Sequence, residues 1–331
     1  MAEPSTFKVT REIKREDILL CLAPGVQSER VFAGSSDGKV YEFDCSAEKP
    51  ELAALEGHSG YVTGIARAGE QVISGGYDGQ LIWWHAEKRE KVRAVKAHQR
   101  WIRAVEAAPD GKTIASVADD MVCRLWDAES GALKHELRGH EAMTPQHFDS
   151  MLYACAFSAD GKLIATGDKV GHIVIWDMAT GASLATLEAP GMYTWDPTAR
   201  IHSIGGIRSL AFSPDGQLLA VGGMGKVGNI DHLEGKTRVE IFRWQAKERI
   251  AEIHGDKSKG LINDLAFHPS GEWLLGAGGD GKGALLFIDV AQMKVARDEA
   301  APAHVHRFLL NAAGNRIHAA GHNRLTVLEA A

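Results

Sequence analysis

Cysteine is scarce in this chain, and the few cysteines are poorly placed for disulfides or metal knuckles. There are four among 331 residues, Cys21, Cys45, Cys123 and Cys155, and no two of them form a CxxC pair. Few, widely spaced cysteines are typical of reduced thiols in the cytosol rather than of a disulfide-stapled secreted domain. The sequence therefore predicts free thiols and a cytoplasmic protein.

Long apolar runs are also missing. Residues 18–23 form an apolar stretch of six that ends at Pro24, whereas a membrane-spanning helix needs about 20 residues. The opening residues 1–14 are polar and mixed in charge, without the apolar centre of a secretory signal. These patterns predict neither a membrane span nor a membrane partner.

An excess of positive charge is the third absence. Lys and Arg total 37 against 43 Asp and Glu, which leaves a formal net charge of −6. A general nucleic-acid binder needs a positive field to neutralise phosphates. General nucleic-acid binding is therefore not expected.

The chain is instead rich in glycine and internally repetitive. Its 36 glycines indicate many turns. Short alternating strands that end in an aromatic residue followed by Asp or His recur at residues 39–44, 80–85, 122–127 and 172–177, with looser copies ending at 243, 289 and 329. Seven units result, most of about 40–45 residues, with extra length in the fourth and fifth. Each unit contains four short strands separated by turns, which is the count of a propeller blade.

These motifs resemble those of the WD-repeat β-propeller family over essentially the whole chain. The resemblance implies an all-β fold: one seven-bladed β-propeller of four-stranded antiparallel blades, closed by an N-terminal strand, residues 6–11, that completes the last blade. The predicted blades span about residues 16–58, 59–98, 99–140, 141–188, 189–254, 255–304, and 305–331 plus 6–11.

In that family a buried tetrad of His, Ser or Thr, Asp and Trp ties each blade together. The second and third units match it completely, with His58, Ser74, Asp78 and Trp84, and with His98, Ser116, Asp120 and Trp126. The fourth unit has His140, Thr166 and Trp176 but Val170 at the Asp position, and the fifth has Val221 and Phe242 for the hydroxyl and the Trp. We expect these two blades to be held more by packing than by a polar network.

Three insertions interrupt the repeat, at residues 141–150, 189–205 and 224–236. The family resemblance places them on one sector of one face, beside the residues that begin each first strand and ring the channel mouth. Aromatic residues with polar handles favour interfaces, and Arg suits carboxylate or phosphate. The predicted partner-binding residues are Tyr61, Tyr77, Trp101, Arg103, Met151, Tyr153, Tyr193, Trp195 and Arg208.

The function that follows is a non-enzymatic scaffold that binds a protein or peptide, acidic or phosphorylated, on this face without a cofactor. Two other interpretations stay open. The insertion aromatics can simply pack over the blades with incomplete tetrads, and the mouth can be an ordinary exposed rim.

A different class of function also stays open, because the insertions carry possible metal ligands. A hydrolase or metal-dependent enzyme could use the fourth and fifth units, where His140, His147 and Asp149 are the better candidates. His304 and His306, two apart on a predicted strand with His318 and His322 nearby, could also bind metal. However, His304 already fits the structural Ala-His position of the repeat. We therefore predict no metal site and no catalytic residues.

Overall fold

The regular secondary structure of the described chain is almost entirely antiparallel β-strand, as its alternating sequence predicts. The computed structural model describes residues 6–47, 52–232 and 234–331, so parts of the predicted opening segment, first blade and third insertion lie outside the described residues. The first half contains β1 (Phe7–Pro24), β2 (Arg30–Ser35), β3 (Lys39–Asp44), β4 (Ala53–Glu56), β5 (Val62–Ala68), β6 (Gln71–Gly76), β7 (Gln80–His85), β8 (Glu90–Lys96), β9 (Ile102–Ala107), β10 (Thr113–Ala118), β11 (Val122–Asp127), β12 (Leu133–Arg138), β13 (Leu152–Phe157) and β14 (Leu163–Asp168).

The second half continues the same pattern after one short turn of 3-10 helix at Pro190–Met192. Its strands are β15 (His172–Asp177), β16 (Ser183–Glu188), β17 (Tyr193–Trp195), β18 (Ser203–Gly205), β19 (Ser209–Phe212), β20 (Leu218–Met224), β21 (Lys236–Arg243), β22 (Glu248–Lys259), β23 (Leu261–Phe267), β24 (Trp273–Gly279), β25 (Gly283–Asp289), β26 (Lys294–Ala301), β27 (Val305–Leu310) and β28 (Arg316–Ala330).

The predicted count of seven blades is wrong: the described strands form six propeller sheets. Five are four-stranded, β5 to β8, β9 to β12, β13 to β16, β19 to β22 and β23 to β26, and the sixth is six-stranded in the order β27-β28-β1-β2-β3-β4. Strands β17 and β18 form a separate two-stranded ribbon. The first and last repeat units therefore share one blade.

The cause of this merger is the length of two strands. β1 has 18 residues and β28 has 15, about three times the usual strand. β1 pairs with β28 from Phe7 opposite Ala330 to Ile18 opposite His322, and then pairs with β2 from Leu19 onward. The N-terminal residues thus join the C-terminal strand inside one continuous sheet and do not complete a separate last blade.

The sheets form a closed ring around a central channel. Neighbouring sheets contact one another through β1, β5, β9, β13, β19, β23 and β27. β27 also contacts β1 within their shared six-stranded sheet, which closes the ring. Apolar clusters fill the space between adjacent sheets, as Trp83 shows: it is fully buried against β9 and β10, and its Nε1 donates to the carbonyl of Ala128, 2.9 Å away. Burial of these faces is what holds the sheets together.

The two tetrads expected to be complete are formed. His58 contacts Asp78 through Nδ1 at 3.0 Å and Ser74 through Nε2 at 2.8 Å, and Trp84 donates to the same Ser74 oxygen at 2.8 Å. The third unit repeats this arrangement. His98 contacts Asp120 through Nδ1 at 3.0 Å and Ser116 through Nε2 at 2.7 Å, and Trp126 donates to the same Ser116 oxygen at 2.9 Å. Each network joins the loop before a sheet to its second and third strands.

The prediction that the fourth unit lacks its acid is wrong. His140 contacts Asp168 at 2.9 Å and Thr166 at 2.8 Å, and Trp176 donates to Thr166 at 2.9 Å. Asp168 stands two residues before the expected position, where the second unit has Gly76. A Cβ placed on Gly76 would lie 3.2 Å from Nδ1 of His58, so a side chain at this position of the turn points at the histidine. An acid can therefore occupy the tetrad from either position.

The fifth unit replaces the tetrad with a buried ion-pair network. Val221 and Phe242 are buried in the apolar cluster that this blade shares with the sheet of β13 to β16. On β21, the fully buried Glu240 pairs with Arg238 at 2.7 Å and with Arg249 at 3.0 Å. This blade combines packing with a charged network of its own.

Candidate protein-interaction site

A ladder of three stacked aromatic rings lies at the edge of the channel mouth. Tyr61 and Trp101 directly precede β5 and β9, and Tyr77 lies in the turn between β6 and β7. Tyr77 stacks on Trp101 with ring centroids 4.2 Å apart and on Tyr61 at 5.4 Å. Tyr61 and Trp101 are each 48% exposed. Large, pre-ordered aromatic surface of this kind suits an interface because it loses little entropy on binding.

Arg103 continues the ladder inward, but its charge is already paired. Its Nε and Nη2 donate to the two carboxylate oxygens of Asp119 at 2.8 and 2.6 Å, and its Nη1 donates to the hydroxyl of Tyr77 at 3.0 Å. Burial disfavours the charged form, yet the hydrogen bonds with Asp119 raise the pKa of Arg103 above its ordinary value. Arg103 is therefore a positioning residue for the rings rather than an open anion receptor.

Arg208 is the cation that this arrangement leaves available. Its guanidinium lies 3.7 Å from the ring centre of Tyr153, and its Nη2 donates to the Gly205 carbonyl at 3.1 Å. Tyr153 in turn donates to the sulfur of Met151 at 2.8 Å. Within the described ranges Arg208 makes no ion pair, and its buried Nε has no hydrogen-bond partner. An anionic group entering the channel could bind here.

The three insertions meet one another beside this mouth. The hydroxyl of Tyr193 donates to Gln146 at 3.0 Å, and the rings of Phe148 and Trp195 lie 5.2 Å apart, which joins the first insertion to the second. The third insertion joins through the amide of Val227, which donates to Thr194 at 3.2 Å. Phe148 is 42% exposed, so this second aromatic group also has a free face.

The metal-binding trio considered for the fourth unit is not assembled in the part of the chain described. His140 is committed to its tetrad with Asp168 and Thr166. Asp149 pairs with Arg100 at 2.6 Å. The ligand atoms of His140 and Asp149 thus have other partners, and these two residues do not join His147 in a group that could hold a metal ion.

A cavity of about 430 Å³ opens at the channel mouth, and a histidine cluster forms part of its wall. The cavity is lined by Leu20, Thr63, Tyr77, Arg103, Tyr153, Arg208, Leu261, Asn263, Asp280, Gly281, His304, His306 and His322. The three imidazoles are in mutual contact, with ring centroids 4.7 to 5.0 Å apart. Burial and then His322 lower the pKa of His304 to about 4, and burial and then both neighbours lower that of His306 to about 3. Both His318 and His322 lie near His304 and His306 in the sequence, and the structure brings His322 into the group.

Comparison with known families decides the classification. The family model "WD domain, G-beta repeat" matches residues 49–85, 89–127, 131–177, 195–227 and 247–282, together more than half of the chain. The chain belongs to the WD-repeat family. Proteins of this family generally mediate protein interactions and are typically not enzymes.

Curated WD-repeat relatives are similar over much of this chain, and the matched region is less than half of each relative. "Telomerase protein component 1" of Mus musculus is 27% identical over 78% of this chain and 8% of its own length. "Apoptotic protease-activating factor 1" of Homo sapiens is 28% identical over 60% of the chain and 15% of its own length. "Nuclear distribution protein PAC1" of Arthroderma otae is 29% identical over 56% of the chain and 42% of its own length. The chain thus spans less than half the length of each of these relatives.

Among the described residues, no helix is both long and apolar enough to cross a lipid bilayer.

Proposed function

We propose that this WD-repeat chain is a non-enzymatic scaffold that binds an acidic segment of a partner protein at the channel mouth. The observation that carries the proposal is the row formed by the exposed aromatic ladder, Arg103, Tyr153 and Arg208. The guanidinium carbon of Arg103 lies 5.3 Å from the ring centre of Trp101 and 5.4 Å from that of Tyr153. The guanidinium carbon of Arg208 lies 3.7 Å from the ring centre of Tyr153. Apolar and cationic contacts are therefore offered side by side.

The two ends of the row serve different parts of the partner. The faces of Tyr61 and Trp101 can cover apolar or backbone surface of the bound segment. Arg208, which has no acidic partner among the described ion pairs, can receive a carboxylate or phosphate through a charge-assisted hydrogen bond. The joined insertions, with Tyr193, Trp195 and Phe148, extend the surface to one side.

The site variant should therefore change Trp101 and Arg208 and leave Arg103 intact. Replacing Arg103 would leave Asp119, which is 9% exposed, without its partner, and removal of one member of a buried pair destabilises the fold. The double variant Trp101→Ala/Arg208→Gln avoids this. A matched control is Leu133→Ala/Arg138→Gln, because Leu133 is 49% exposed and the Arg138 side chain 62% exposed on an outer strand.

Both variants and the wild type serve as baits in native lysate, with captured proteins quantified by mass spectrometry. We expect a stoichiometric partner to bind the wild type and the control and to be depleted at least tenfold by the site variant, which is about 1.4 kcal/mol. Its capture should also weaken at high salt in the wild type, since a charged contact is screened. Equal capture by all three folded baits would contradict the proposal.

A further inference from the structure

We infer that His304, His306 and His322 form a binding site for a divalent transition-metal ion such as Zn²⁺ at the channel mouth. The inference is independent of the proposed partner surface.

The β-structure brings these three side chains to one place. His304 immediately precedes β27, and His306 is two residues later on the strand, so their side chains leave the backbone on the same face. His322 lies on the adjacent β28, where its backbone amide donates to the carbonyl of His304 at 3.1 Å. The convergence thus rests on a backbone hydrogen bond and a strand pairing rather than on flexible loops.

The geometry is close to that of a three-histidine metal centre. Each imidazole offers one nitrogen such that the three nitrogens lie within 4.8 Å of one another. In a tetrahedral Zn²⁺ site with Zn–N distances of about 2.0 Å, neighbouring nitrogens are about 3.3 Å apart. Closing a gap of about 1.5 Å or less is within reach of small side-chain rotations, because the site opens to a cavity on one side.

The ring nitrogens are also chemically available. His304 is 6% exposed and His306 is half-buried, yet Nδ1 of His304 and Nε2 of His306 have no hydrogen-bond partner among the described residues. A buried polar atom without a partner costs free energy, and a metal ion would remove that cost. Metal ions bind the neutral form of imidazole through a ring nitrogen that carries no proton.

Asn263 contacts His304 from outside the cluster and determines which of its ring nitrogens is occupied. Its side-chain nitrogen lies 2.8 Å from Nε2 of His304 and 2.9 Å from the carbonyl of Val305. This contact leaves Nδ1 as the unoccupied nitrogen of His304. Because Nε2 accepts from the Asn263 amide in this arrangement, the proton of His304 sits on Nδ1, and metal binding at Nδ1 requires that proton to move to Nε2 and the contact with the Asn263 nitrogen to be given up.

Comparison with the other repeat units explains why the cluster is unusual. Asp78 and Asp120 stand six residues before Trp84 and Trp126, and each carboxylate binds the histidine of its unit. In the C-terminal unit His322 stands six residues before Leu328. The imidazole of His322 stands in place of the carboxylate that would hold His304, so the ordinary tetrad cannot form. A metal ion can join the two rings instead.

The third ligand and the open side suggest the type of site. Three protein nitrogens leave a fourth position of a tetrahedral ion, which here faces the 430 Å³ cavity and can take water or an added anion. Imidazole ligands suit Zn²⁺, Cu²⁺ and Ni²⁺, whereas Mg²⁺ prefers oxygen ligands. Binding should therefore discriminate strongly between Zn²⁺ and Mg²⁺.

The test is calorimetric titration of the chelator-treated full chain with ZnCl₂ and, separately, with MgCl₂. We expect one Zn²⁺ per chain and no Mg²⁺ binding. His306→Ala and His322→Ala should each weaken Zn²⁺ binding at least about 100-fold, since loss of a direct ligand costs no less than loss of an outer contact. The control His232→Ala, an exposed histidine of the third insertion, should bind Zn²⁺ like the wild type.

A second measurement covers the case in which an alanine variant does not fold. Co²⁺ added to the wild-type chain should give the intense visible absorption of a tetrahedral ion, and Zn²⁺ should abolish it. The inference is overturned if the wild type binds no Zn²⁺, if Co²⁺ retains the weak spectrum of its hydrated form, or if the folded His306 and His322 variants bind as tightly as the His232 control.

Discussion

Phe7 provides a quantitative test of how the ring is held closed. It is 7% exposed on β1, where its ring stacks on Phe287 at 5.7 Å and meets Trp273 edge-on at 6.3 Å. Phe7→Ala removes these contacts and leaves a cavity between the six-stranded sheet and the sheet of β23 to β26. Core Phe→Ala changes cost about 3–5 kcal/mol, and we expect about 3 kcal/mol here because the chain end can partly collapse into the space.

A matched control exists on the same strand. Val9 is 44% exposed, and its replacement by Ala should change the free energy of unfolding by about 0.5 kcal/mol or less. Both variants are unfolded in urea and followed by tryptophan fluorescence, and the cost is taken from the shift in midpoint at an unchanged slope. Deletion of residues 1–12 should lower stability further, because it also removes the pairing of Phe7–Glu12 with residues 326–330.

The reasoning fails if Phe7→Ala costs less than about 1 kcal/mol or no more than Val9→Ala. An unchanged melting temperature after deletion of residues 1–12 would likewise show that the N-terminal strand does not stabilise the closed ring.

Two further predictions concern the tetrads. Asp168→Ala should lower the free energy of unfolding by about 3 kcal/mol, since it leaves the buried His140 without its carboxylate, whereas Val170→Ala, at the position where the sequence pattern expects the acid, should cost much less; urea unfolding of the two variants distinguishes them, and equal costs would contradict the assignment. Burial acts to raise the pKa of Asp120, but its contacts with His98 and Arg124 outweigh that and hold the pKa well below its usual range. As pH falls below about 4, Asp120 therefore takes up a proton in the unfolded chain at a higher pH than in the folded chain. The stability that the ionised Asp120 contributes above that pH is progressively lost on acidification. Urea unfolding between pH 5 and pH 3 should show a shallower loss for Asp120→Asn than for the wild type, and parallel profiles would refute this.

The repeat pattern predicts the local architecture because its signals are local. Alternating strands, Asp-Gly turns and the spacing of His58, Ser74, Asp78 and Trp84 all lie within about 30 residues of one another, and period-2 alternation and turn chemistry act over that range. The same holds for the third unit. The positions of Tyr61, Tyr77 and Trp101 beside strand ends also follow from the repeat, although their stacking does not.

Contacts between distant parts of the chain could not be predicted in this way. The family resemblance predicts that residues 6–11 join the C-terminal unit. That the first and last units share one sheet, through pairs such as Phe7 with Ala330 across more than 300 residues, is encoded by no spacing within a repeat. The pairing of Arg103 with Asp119 and the freedom of Arg208 depend on which side chains meet in the channel. These features decide which arginine of the channel mouth is left without an ion pair among the described residues.

The sequence by itself determined the repeated sets of short strands, and its resemblance to the WD-repeat family implied the β-propeller; repeated sets that each expose an apolar face bury it by packing side by side. Only the tertiary structure decided the number of sheets, the use of Asp168 in the fourth tetrad and the meeting of His322 with His304 and His306. In each case the physical reason is the same: the backbone path through a turn or a long strand sets where a side chain points, and residue spacing alone does not.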